Sequence, residues 1–355
     1  MAYTTIDDPS EYFTITLYTG NGNDNRAITN SANAGNFQPD WLWYKERSST
    51  SEHRSFDSSR GASKRIEPNN TNAEATDTSN HKSFDSNGFT VGTSGSTNAN
   101  GDTYVAWQWK CNGGTSSASG SESGSNLAYN FQVNTTSKFM INLYTGRGSS
   151  STLNLGNHFT PEFMIFKNRD QADDWVVYHH KNTAYPWTDH LHLNTTATTS
   201  DDEQMFEDVV FAADEINLGT NHEVNADGEN YVAYAFAGVQ GYSKFGSYKA
   251  NGSADGPFVY LGFKPAWILF KNIDNANNWV LHDNKRGAFN VNDEQLSSNN
   301  ANVEATDSAK MDFLSNGFKI RVDGQGVNNS GHTIIYMAFA EHPFVSSKGV
   351  PVTAK

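Results

Sequence analysis

Cysteine occurs once in the 355 residues, at Cys111. A single thiol excludes an internal disulfide framework, and Cys111 is expected to be a free thiol at the edge of a linker. No apolar run approaches the ~20 residues that a membrane helix needs. The opening stretch, MAYTTIDDPSEYF, has neither the basic nor the apolar segment of a secretion signal. The chain is therefore expected to be made in a reducing cytosol. Charge is scarce as well: Asp, Glu, Lys and Arg make up 18% of the residues and sum to −14. That balance does not suit nucleic acid as a partner, and nothing suggests membrane insertion.

Catalytic signatures are missing too. The chain has no G-x-S-x-G elbow, no H-E-x-x-H, no phosphate loop and no Cys/His zinc spacing. Paired carboxylates for glycoside cleavage are cheap among 39 Asp and Glu, so no pair is singled out. The expectation is a protein that is not an enzyme.

What the chain does have is Asn, Ser, Thr and Gly interleaved with 22 Phe, 15 Tyr and 8 Trp. That mixture suits short strands joined by turns, and its aromatic content argues against disorder. Landmarks recur in fixed order. An aromatic strand ending at glycine reads FTITLYTGNG from Phe13 and FMINLYTGRG from Phe139; a looser FGSYKANGS begins at Phe245. Then come PDWLWYKER, PEFMIFKNRD and PAWILFKNID. Apolar residues on both faces predict strands buried on both sides. HRSFDSSRG, DWVVYHHKN and NWVLHDNKRG follow. NAEATD…SNGF and NVEATD…SNGF come next, with a diverged middle copy, TTSDDEQMFEDVVFAADEINLG. In both clear copies SNGF reads as a turn with φ > 0 at Asn-Gly. The last landmark aligns Val105, Trp107 and Trp109 with Val232, Tyr234 and Phe236, and with Ile335, Met337 and Phe339. This alternation marks a core-facing side.

The fold expected is all-β: three tandem β-sandwich modules, of jelly-roll or immunoglobulin-like topology. Module one spans 1–110, a Gly/Ser-rich and flexible linker 111–128, module two 129–240 and module three 241–355. Modules two and three meet with almost no spacer and are expected to dock more rigidly. A short helix in the Asp201 segment is disfavoured against strand.

Candidate site residues cluster in module two. YHHKNTAYPWTDHLHL holds His179, His180, His190 and His192. On a strand His190 and His192 share a face, and imidazole suits transition metals. Asp189 is a candidate third ligand or supporting carboxylate. A solvated hairpin carrying polar rings is the commoner use of such residues. Trp187, with Tyr185, has no counterpart in the other copies and is the candidate exposed platform for a glycan. Trp41, Trp43, Trp107 and Trp109 exchange with aliphatic residues between copies, which marks core. Glu74 and Glu304 recur at equivalent places, which favours a structural role. Turns such as NANGD and NADGEN lack EF-hand spacing and are read as turns. The triplets at Asn69, Asn134 and Asn194 carry no glycosylation inference.

MAYTTIDDPSEYF, LYTGNG, QPDWLWYK, FDSSRG, SFDSNGFTVG and NGDTYVAWQWKCNGG together resemble a module common in structural proteins of tailed, especially marine, bacteriophages. GSYKANGSADGPFVYLGFKPAWILFKN, MDFLSNGF and MAFAEHPF are similar to its C-terminal copy. The resemblance implies concanavalin A-like or laminin-G-like sandwiches in a virion component assembled in the host cytoplasm. Its expected partners are other virion proteins, host-surface glycans and, as a candidate, further copies of itself. A surface fibre or receptor-binding protein that touches host glycans through loops is the first reading. A capsid or tail decoration or cement protein is the alternative. The resemblance transfers no catalytic residue or cofactor.

Overall fold

The computed structural model describes residues 2–30, 36–306 and 309–351. It is all-β, with several antiparallel sheets and no barrel. Helices among the described residues are single turns, and none is long and apolar enough to cross a membrane.

Three larger sheets share one strand order. In the first, Phe13–Thr19 pairs with Thr103–Trp109, then Trp41–Glu46, then Arg54–Asp57. In the second, Phe139–Thr145, Asn230–Phe236, Phe163–Asn168 and Val176–His179 repeat that order. In the third the strands are Ser243–Lys249, Thr333–Pro343, Phe263–Asn272 and Val280–Asp283. In each, the last long strand of the repeat lies between the first and second. The register sets Ser243 opposite Phe339, as Phe13 is opposite Trp109 and Phe139 opposite Phe236. Ser243, and not Phe245, is therefore the third counterpart of Phe13. Tyr18, Tyr144 and Tyr248 confirm the alignment, because their hydroxyls donate to Thr97 O, Val224 O and Val327 O.

Strand alternation gives each large sheet two buried faces. One face packs within its own repeat: Leu42, Tyr44 and Ala106 meet Ile28, Phe89 and Val91 of a small facing sheet. Equivalent clusters form in repeats two and three. The other face carries Trp41, Trp43, Val105, Trp107 and Trp109. It meets Phe163, Ile165, Tyr234 and Phe236 of repeat two and Trp267, Leu269, Met337 and Phe339 of repeat three in one shared cluster. The residues expected to face the core do so, but the core they face is common to all three repeats. Rings cross every boundary: Trp41 lies 6.1 Å from Phe139, Phe163 5.8 Å from Phe245, and Phe13 6.3 Å from Trp267. Each buried Trp removes about 150–250 Å² from water. At ~25 cal/mol per Å² that is an upper limit of about 4–6 kcal/mol per ring.

Polar bonds close the repeats into a ring. Trp175 Nε1 of repeat two donates to Glu67 O and Asn70 O of repeat one. Trp279 Nε1 of repeat three donates to His192 O of repeat two. His53 stands at the same position in repeat one, and its Nε2 is 3.1 Å from Ser297 O of repeat three. Backbone bonds follow the same rotation: Glu74 N to Arg169 O, Thr199 N to Ile273 O, and Glu304 N to Arg47 O. Equivalent patches in head-to-tail contact close a ring when the rotation returns to its start. Lys167 and Lys271 also span joints, to Thr71 O and Thr196 O. With Lys45 they are buried against backbone carbonyls, and burial pushes all three down to about 8.

Four expectations change. The 111–128 segment is bonded along its length: Asp40 accepts from Cys111 N and Gly113 N, Gln132 accepts from Asn112 N and Gly114 N, and Ala118–Gly120 pairs with 129–131. Gly/Ser composition leaves the backbone free to pair, and here it does. Docking is also not reserved for repeats two and three, since all three repeats share the central cluster. The diverged middle segment forms a helical turn, Glu203–Phe206, capped by Asp202, in place of a strand. Finally, SNGF is not an Asn-Gly turn with both residues at φ > 0: only Gly88 is positive, at 123°. Glycine is required because a neighbouring carbonyl crowds it. A Cβ on Gly88 would lie 2.1 Å from Ile28 O, and one on Gly317 2.0 Å from Val259 O.

Cys111 is a free, buried thiol, raised well above its ordinary pKa by burial and by Asp40. The turn asparagines Asn98, Asn225 and Asn328 are buried and bond backbone groups on both sides, as a turn reading requires. Asn69 and Asn194 accept the backbone N–H of His53 and Trp175, so their side chains hold strands.

Candidate functional site

The second repeat carries the features that break the threefold pattern. Its loop at 180–188 leads into the strand Asp189–His192. Thr188 N and Oγ1 both bond Tyr185 O and close the loop. Tyr185 projects, 65% exposed. Trp187, expected to be the exposed ring, is half-buried against the repeat's own cluster and meets Tyr185 edge-on at 5.9 Å. The exposed ring of this loop is thus Tyr185, backed by Trp187.

Strand alternation puts His190 and His192 on one face, ring centroids 5.0 Å apart. Asp189 points elsewhere: it is bonded to Thr183, and burial, outweighing that bond, raises its pKa. The carboxylate that does join the imidazoles is Glu223, from the turn His222–Asn225, whose Oε2 is 3.1 Å from His192 Nε2. One ligand atom from each of the three lies within 4.8 Å of the others. Burial, helped by His192, lowers His190 to about 4. Burial alone would lower His192 too, but the Glu223 hydrogen bond and charge leave it raised. Glu223 is correspondingly lowered: burial opposes ionisation, and bonding to His192 outweighs it. Sequence reasoning missed Glu223, which lies 31 residues from His192. The available signal was its counterparts, Ser96 and Gly326, which are uncharged.

His179 and His180 stand apart from this group. In the other repeats the His179 position is Asp57 or Asp283. Tyr234 OH donates to Asp57, and Trp107 Nε1 donates to Asp283. The third donor position is Met337, which has nothing to donate. His179 replaces the acidic acceptor and supplies the donor itself, with Nε2 3.1 Å from Tyr336 O. His180 Nε2 is 2.9 Å from Phe245 O. Both histidines are joint residues.

Glu74 and Glu304 are structural, and the bonds show how. Glu74 joins Arg60 of its own repeat to Arg169 of the next. Glu304 joins Arg286 to Arg47. Arg60 and Asp57 form a fully buried pair; burial alone would lower Arg60, but Asp57, Tyr234 and Glu74 more than offset it.

A cleft of about 290 Å³ opens where repeats one and three meet, between Phe13 and Ala266 and rimmed by Asp8, Lys285 and His342. No sequence signal marked it.

These features define a class: an all-β protein in which three sheet repeats close around one aromatic core, with the grouped His190, His192 and Glu223 in the second. The chain belongs to the family described as domain of unknown function DUF7483, whose model matches residues 8–343. One family unit therefore spans all three repeats and the segment between the first two. No curated protein matches the chain.

Proposed function

We propose that this chain is a non-enzymatic structural protein of a bacteriophage virion, built of three concanavalin A-like β-sandwich modules and fixed to the particle surface as a decoration or cement protein. The sequence resemblance supplies the virion. The observation that carries the decoration reading is the closed ring. Three repeats locked about a common core make a single body with threefold character, suited to a surface of the same local symmetry. A projecting fibre gains reach from modules strung on free linkers, whereas here the 111–128 segment is bonded down. Locating the labelled chain in intact particles tests the proposal. Density lying across capsomer joints is the expected result, and recovery of the chain only outside particles overturns it.

The exposed Tyr185, backed by Trp187, favours a second reading, in which the second module's loop contacts a host glycan. A glycan array with the intact chain and with Tyr185→Ala tests this. Binding lost in the variant supports it, and no binding by the intact chain removes it.

A further inference from the structure

We propose that His190, His192 and Glu223 bind one divalent transition-metal ion of the zinc type, in the notch between the strand Asp189–His192 and the turn His222–Asn225. Two imidazoles and a carboxylate are a donor set that such ions take, with one position left for water or substrate. The side chains are gathered already, each offering a ligand atom within 4.8 Å of the others. Closing to metal–ligand distances of about 2.0–2.2 Å needs only small side-chain shifts.

Comparison between the repeats argues that this is more than an ion pair filling a gap. The first repeat has Arg65, Glu67 and Ser96 at these positions. There Arg54 reaches across, bonding Glu67 Oε1 and Ser96 Oγ, and supplies the positive charge. The third repeat has Gln295, Ser297 and Gly326, which need no cation. In the second repeat Val176 replaces Arg54, so no arginine enters; Glu223 bonds His192, and the Lys167 ammonium acts on it only through its field. His190 is 5% exposed, and its Nδ1 has no hydrogen-bond partner. A buried, unpaired ring nitrogen is costly unless something takes its place in the bonding. Asp201 and Asp202 act on His190, and Asp174 on His192, adding a field that favours a cation. Asp189 has no part in the site, being bonded to Thr183.

The test is titration of Zn²⁺ into the full chain, freed of any affinity tag, by calorimetry. One equivalent is expected per chain. His192→Gln and Glu223→Gln should each weaken binding at least tenfold, while Asp189→Asn leaves it unchanged. Co²⁺ bound to the unaltered protein should give the visible band of a four- or five-coordinate site, a readout independent of whether any variant folds. No uptake by the unaltered chain overturns the proposal, as does uptake that persists in both glutamine variants, or a Co²⁺ spectrum of the hydrated ion. The outcome does not depend on whether the chain is a virion protein.

Discussion

The guanidinium of Arg47 holds Glu304 at 2.7 Å across 257 residues of chain, and Glu304 in turn holds the buried Arg286 at 3.0 Å. The same triangle recurs as Arg169, Glu74 and Arg60. At the third joint all three members are replaced: Ile273 for arginine, Thr199 for glutamate, Asn182 for the buried arginine. Thr199 Oγ1 donates to Asn182 Oδ1 there. Removing the Glu304 charge leaves Arg47 without its carboxylate and the buried Arg286 with Asp283 alone. Glu304→Gln should therefore lower stability by about 2–4 kcal/mol. Thr199→Ala, which leaves no orphaned charge, should cost about 1 kcal/mol. Urea denaturation midpoints measure both.

The central cluster makes the repeats interdependent. Taken alone, the first would expose Trp41, Trp43, Trp107 and Trp109, all fully buried in the ring. The full chain should melt as one unit, with calorimetric and van't Hoff enthalpies equal. Three separable transitions would show that each repeat is stable by itself. Trp41→Ala, which opens a hole shared by two repeats, should cost about 3–5 kcal/mol without splitting the transition.

Repetition and strand positions were legible because alternation records burial directly. Lys45, Lys167 and Lys271 ended the same strand in every copy, and the structure gives each the same buried place. What alternation cannot record is which neighbour lies beyond each face. Trp107 reads as core whether it meets its own repeat or another, so the ring escaped notice. The Gly/Ser segment misled for a related reason, since composition reports chain entropy and not the carbonyls waiting nearby. At the candidate site the His190–His192 spacing was readable from strand geometry, whereas Glu223 arrives through tertiary folding. Trp187 lacked a counterpart, which signals novelty but not exposure.

Acid should destabilise the protein well before its carboxylates titrate. Burial holds His81 and His179 at about 3 and His282 at about 4, and pushes His53 well below its usual value. The bonds agree with neutral rings: His179 Nδ1 accepts from Lys181 N, and His53 Nδ1 accepts from Trp43 Nε1. In the unfolded chain these groups protonate near 6.5. The unfolded state thus binds more protons between about 6.5 and 4, so stability is fully present above that window and falls as pH drops through it. Each histidine contributes up to about 1.4 kcal/mol per pH unit there. Melting temperatures at pH 7, 6 and 5 should decline steadily. His179→Gln, which keeps a donor toward Tyr336 O, should shallow the decline by about one proton. An unchanged slope would mean His179 is not held neutral.

The glycine of SNGF gives the sharpest test of why that phrase is written twice. If a positive φ were the requirement, alanine at Gly88 and Gly317 would differ, since only Gly88 has one. If the approach of the facing strand is the requirement, both substitutions drive a methyl to about 2 Å from a backbone carbonyl, at Ile28 and Val259. Neither carbonyl can yield without breaking the small sheet's pairing, in which Thr29 is opposite Gly88 and Tyr260 opposite Gly317. Gly88→Ala and Gly317→Ala should therefore be comparably harmful, each costing more than about 2 kcal/mol. Gly228 also has positive φ but faces open space, so Gly228→Ala should cost only about 1 kcal/mol. A cost at Gly88 like that at Gly228, with almost none at Gly317, read from denaturation midpoints, would leave turn conformation as the reason for the motif and remove strand approach as its cause.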